Sequence, residues 1–71
     1  MIIVSTHDPE CLISYLSTCE EPLRSLLYVE TGYTDRLCMP DESWAEIPDD
    51  VKRVIEARTY GFVDGWERAR S

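Results

Sequence analysis

The stretch Leu26-Leu27-Tyr28-Val29-Glu30-Thr31-Gly32-Tyr33-Thr34-Asp35-Arg36-Leu37-Cys38-Met39 decides the fold. Two short apolar runs, each containing residues that favour strands, flank a turn with a glycine, and this spacing predicts a β-hairpin over residues 26–39. The competing reading continues Pro22-Leu23-Arg24 as a helix with Leu23, Leu26 and Leu27 on one side, because a short apolar run does not by itself distinguish strand from helix. The hairpin makes the chain an α+β protein, whereas the helix removes most of the sheet.

Working outward, Ile2-Ile3-Val4-Ser5 is β-branched at three of four positions and reads as a short buried strand. Asp8 then precedes Pro9, so a carboxylate can cap free N–H groups while proline occupies the first helical position, where its missing donor costs nothing. Cys11, Leu12, Tyr15, Leu16 and Cys19 recur on one helical face. That helix is expected to end near Glu20, ahead of Pro22.

Beyond the hairpin, Pro40-Asp41-Glu42-Ser43-Trp44-Ala45-Glu46-Ile47-Pro48-Asp49-Asp50 holds five acids and no base. It reads as a loop, with room for one helical turn after Asp41. Pro48, Asp49 and Asp50 suit the first turn of a last helix, where carboxylates favour the positive end of the dipole. Val51, Val54, Ile55, Phe62 and Trp66 keep helical phase to about residue 68, and Asp49–Arg53 and Asp64–Arg68 are acid-before-base pairs. Gly61 and Gly65 weaken the helix by about 1 kcal/mol each relative to alanine. A break at Gly61 is the alternative.

The expected fold is therefore a single α+β domain, residues 1–71, in the order β-α-β-β-α, with a three-stranded, mostly antiparallel sheet and two helices on one face. At 71 residues folding buries only about 60% of the surface the unfolded chain exposes. The core is small. Seven aromatic residues and 44% apolar content still speak for a folded chain despite the net charge of −7.

That charge is unevenly distributed. Residues 1–50 carry eleven carboxylates against Arg24 and Arg36, while residues 51–71 carry five cations against three acids. Phosphates need cations to replace their counterions, so the first fifty residues are unsuited to direct nucleic-acid binding and suited to a larger protein with a basic surface. Glu20, Glu21, Asp41, Glu42, Glu46, Asp49 and Asp50 are the candidate contacts on this reading. Trp44, set among acids, is either an interface anchor with a polar rim or a cover for the small core. Phe62 and Trp66 fall on the helix stripe and read as core. The cations of the last helix are interrupted by Glu56, Asp64 and Glu67 and read as a solvated face rather than a phosphate site.

Catalytic and metal chemistry find little support. His7 is the sole histidine, so a nucleophile–base pair could only be Cys38 or Cys19 with His7. A zinc site would have to combine His7, Cys11, Cys19 and Cys38, whose spacings match no standard module. No glycine-rich phosphate loop is present. Three cysteines without a CxxC pair fit free thiols in a reducing compartment, and no run approaches the ~20 apolar residues of a membrane span. A cytoplasmic protein without enzyme activity, cofactor, metal or membrane contact is the expectation.

In length, acidity and lack of motifs the chain looks like the small inhibitors that bacteriophages encode against host defence or transcription, anti-CRISPR and antirestriction proteins among them. The likeness is one of general character. It implies an inhibitor whose carboxylates mimic nucleic acid and block a groove meant for phosphates. Two other classes are open: an accessory subunit that homodimerises through its sheet or the Phe62/Trp66 face, and a zinc- or thiol-dependent regulator. Salt response separates the first two, since an electrostatic interface weakens with ionic strength and an apolar one hardly changes.

Overall fold

The hairpin forms, and its second strand is the centre of the sheet. A computed structural model describes residues 1–70. Strand β1 (Ile2–Thr6) pairs antiparallel with β3 (Asp35–Cys38), which pairs antiparallel with β2 (Tyr28–Glu30), giving the order β1-β3-β2. Between Ile2 and Val4 the register shifts, and Ile3 is the extra residue. Both Ile3 and Val4 are consequently buried.

Both readings of residues 23–30 hold in part. After a cis peptide at Glu21–Pro22, Leu23–Leu26 makes a single helical turn, α2, closed by a bond from the Leu27 amide to the Leu23 carbonyl at 3.1 Å. Leu27 then turns extended and the strand begins. Helix α1 (Pro9–Thr18) starts as read: Asp8 caps it by accepting from the Glu10 amide at 3.1 Å, and Pro9 stands in its first turn. It stops at Thr18, two residues short of Glu20, because Cys19 is extended and its amide bonds back to Leu16 at 3.2 Å.

Two expectations need correction. The segment read as a loop with room for one helical turn after Asp41 is helical throughout residues 41–46, forming α3 (Asp41–Glu46), and with α2 this makes four helices among the described residues rather than two. Its acids open the first turn, where they suit the dipole, and Trp44 and Ile47 pack onto the core from it and from its end. The last helix, α4 (Asp49–Arg70), runs unbroken through Gly61 and Gly65, yet its inward stripe differs from the predicted one. Ile55, Thr59 and Val63 are buried, with Phe62 and Trp66 packed alongside, while Val51 and Val54 are exposed. Twenty-two residues make a helix of about 33 Å, nearly the molecule's longest extent of 36 Å. Its first turns therefore have little beneath them to cover.

Helices α1 and α4 pack on the sheet face that carries Val4, Thr6 and Leu37, and the core is Ile3, Val4, Cys11, Leu12, Leu37, Met39 and Val63. One buried polar pair crosses it. The Tyr15 hydroxyl lies 2.7 Å from the Thr59 hydroxyl, which is also 2.6 Å from the Ile55 carbonyl oxygen and donates to it. No buried side-chain nitrogen or oxygen among the described residues lacks a partner, as a core this small requires.

Candidate functional site

Strand alternation and register fix what the other face of the sheet presents. Ile2, Cys38 and Tyr28 form one cross-strand row, and Ser5, Arg36 and Glu30 form the next. Ser5, Arg36 and Glu30 are exposed, while Ile2 and Tyr28 are 48% and 45% exposed. Cys38 sits fully buried between them. Its thiol donates to a Glu30 carboxylate oxygen at 3.3 Å. Burial first, then that bond and the Glu30 charge, push the thiol's pKa up, so Cys38 stays protonated and is a poor nucleophile.

Pro40 follows β3 by two residues and caps α3, whose first turn holds Asp41 and Glu42. Partial loss of water, followed by the charges of Cys38, Glu30, Asp41 and Glu42, raises the pKa of the Tyr28 phenol. A half-exposed aromatic side chain thus stands within the field of three carboxylates. Asp41 also pairs with the α-amino group of Met1 at 2.7 Å, and this bond holds its own carboxyl below the usual range. Arg36 stands opposite Glu30 in the register and offsets part of the negative charge.

The remaining residues singled out from the sequence lie elsewhere. Glu20 lines a cleft of about 300 Å³ between α1, α2 and α4, together with Arg58. Glu21 is exposed and accepts a bond from the Ser25 hydroxyl. Glu46, Asp49 and Asp50 are exposed on α3 and the start of α4, and Asp49 pairs with Lys52 at 3.7 Å rather than with Arg53. Trp44 is half-buried against the core, with the Lys52 ammonium 5.7 Å from its ring centre. Tyr28, which the sequence leaves open between core and contact, and Glu30, which lies outside the contact set expected from the sequence, complete the exposed acidic patch. The hairpin register would have revealed them, because residues two apart on a strand share a face.

At the opposite end of the sheet a second arrangement is structural. Asp8 caps α1, accepts from the Trp66 indole at 2.7 Å and pairs with Arg70 at 3.2 Å. Arg70 also pairs with Glu10 at 3.0 Å and lies 5.0 Å from the Trp66 ring centre. The Trp66 bond first, and the Arg70 charge after it, lower the Asp8 pKa. Thr6 donates to Glu67 at 3.1 Å. These contacts clamp the last turn of α4 onto the β1–α1 junction, and they turn Phe62 and Trp66 inward, stacked at 6.1 Å.

Neither cysteine–histidine pair is assembled. His7 packs edge-on against Tyr33 at 5.6 Å, Cys19 donates to the Tyr15 carbonyl at 3.4 Å, and Cys38 bonds Glu30. No three histidine, cysteine or carboxylate side chains among the described residues gather to hold a metal ion, so the zinc set of His7, Cys11, Cys19 and Cys38 is dispersed. No helix among the described residues is long and apolar enough to cross a membrane. Comparison of the chain with protein-family models, with characterised proteins and with solved structures gives no match.

Proposed function

We propose that this chain is a non-enzymatic binding protein that docks the acidic outer face of its sheet on a basic surface of a larger protein, and that it inhibits that protein where the surface serves nucleic acid. The observation that carries this reading is the half-exposed Tyr28 sharing the outer sheet face with the exposed Glu30, two residues on, while Asp41 and Glu42 open α3 just after β3 and Asp41 is tied to the Met1 amino group beside β1. An amphipathic aromatic at the centre of a charged rim is the composition of an interface with an anchor. The net charge of −7 adds long-range attraction toward a cationic partner.

The position of the acids narrows the contact set. Asp41 and Glu42 belong to it, together with Tyr28 and Glu30. Glu20 belongs instead to the cleft that Arg58 also lines, between α1, α2 and α4. Trp44 supports the face from beneath, by fastening α3 to the core.

Capture from a cell lysate at low and high salt tests the proposal. The wild-type chain should retain a partner at low salt and release it at high salt, and added duplex DNA should displace it if the partner's surface serves nucleic acid. Glu30→Lys with Glu42→Lys should abolish capture, while Glu20→Lys with Glu21→Lys should leave it. Capture that survives the first pair of reversals, or that ignores salt, overturns the reading.

A further inference from the structure

We infer that β2 accepts an extended, basic segment of the partner as a fourth strand, an inference that rests on the acidic-face reading above and assigns that face its ligand. The sheet order leaves β1 and β2 at the two edges. Edge strands present unpaired backbone groups, and proteins blunt them by bulges, charges or covering elements. The β1 edge is blunted by the bulge at Ile3, and α4 packs against the face of this strand and holds Thr6 through Glu67. In contrast, among the described residues β2 has β3 as its only strand partner, and an alternate set of its N–H and C=O groups points away from the sheet.

Side-chain alternation defines the occupant. Tyr28 and Glu30 face outward, and Val29, half-buried, faces the core side. A strand added beside β2 places every second side chain on the outer face, next to Tyr28 and Glu30 and within the field of Asp41 and Glu42. Lysine or arginine at those positions gains opposite-charge cross-strand pairs, and arginine can also lie over the Tyr28 ring. The residues between them meet the edge near Val29, where aliphatic side chains fit. The preferred segment therefore alternates basic and aliphatic residues.

Charge also decides between this occupant and a second copy of the chain. Two β2 edges paired with each other would bring Glu30, Asp41 and Glu42 of both copies together, and like charges set opposite one another destabilise the pairing. A cationic strand meets no such repulsion.

The test uses the intact, isotope-labelled protein and a short peptide of alternating lysine and valine. Binding should shift and slow hydrogen exchange of the amides in residues 28–30, and a glutamate–valine peptide should not bind. The same lysine–valine peptide with its backbone nitrogens methylated keeps its charge but loses its donors, and it should bind about tenfold more weakly or worse. Equal binding of the methylated and unmethylated peptides overturns strand addition while leaving the acidic-face reading intact. Failure of both to bind overturns both.

Discussion

Replacing Thr59 by valine removes a single hydroxyl from the centre of the molecule and tests how the core is closed. Thr59 is fully buried and Tyr15 is 5% exposed, and their hydroxyls lie 2.7 Å apart. Valine fills nearly the same volume and keeps the β-branch, so packing changes little. What changes is that the Tyr15 hydroxyl loses its partner in a place that water enters poorly. Leaving a buried polar group unpaired costs about 1–3 kcal/mol, and near the middle of that range a domain of 71 residues melts roughly 8–16 °C lower. Tyr15→Phe removes the other partner and should cost less, about 0.5–1.5 kcal/mol, since Thr59 still donates to the Ile55 carbonyl. The double variant should be more stable than the sum of the two losses predicts, because neither hydroxyl is then stranded. Urea and thermal unfolding of the four proteins measure all three values. If Thr59→Val matches the wild type while Tyr15→Phe is the costlier change, the pair is not a buried hydrogen bond and the reasoning fails.

Other perturbations address other parts of the structure. Asp8 has its pKa lowered on folding by the Trp66 indole and by Arg70, so it contributes stability above its ordinary value of 3.8 and that contribution is lost as pH falls through the folded value; urea midpoints measured down to acid pH should fall less steeply for Asp8→Asn than for the wild type. Gly61 lies within α4 with nothing within 4 Å of the place a Cβ would occupy, so Gly61→Ala should stabilise by about 0.5–1 kcal/mol, read as a higher melting temperature, and a lower one would show that the helix is bent or crowded there. Cys11 and Cys38 are buried with raised thiol pKa values, whereas Cys19 is half-exposed in the Arg58 cleft; a thiol reagent applied to the native protein should label Cys19 first, with mass spectrometry locating the adduct, and prior labelling of Cys38 would contradict the packing of the sheet.

Local rules were sufficient wherever a residue acts on its immediate neighbours. The Asp8–Pro9 start of α1, the strand at Ile2, the turn between Glu30 and Asp35 and the long helix after Pro48 all follow from capping, β-branching and glycine placement. These are interactions within a few residues, so the chain's order contains them. Even the ambiguity at Leu23–Glu30 was legible as one, and it resolves into a helical turn to Leu26 and a strand from Tyr28, with the extended Leu27 between them buried in the core.

Tertiary structure decided what depends on distance through space. Helix α3 showed in the sequence only as room for one turn after Asp41, and its full extent is decided by Trp44 and Ile47, which pack it onto the core. The inward face of α4 is chosen by what lies under it, which is why Thr59 is buried and Val54 is not. The carboxylates that a charge count treats alike are separated by the fold: Glu20 lines a cleft with Arg58, Asp8 and Glu10 hold Arg70, Asp41 pairs with the Met1 amino group, and Glu30 shares the outer sheet face with Tyr28. Composition sets the sign of the molecule's field, but strand register and helix packing determine where on the surface that field falls, since only those long-range contacts place Tyr28 and Glu30 on one exposed face and tie Asp41 to the Met1 amino group.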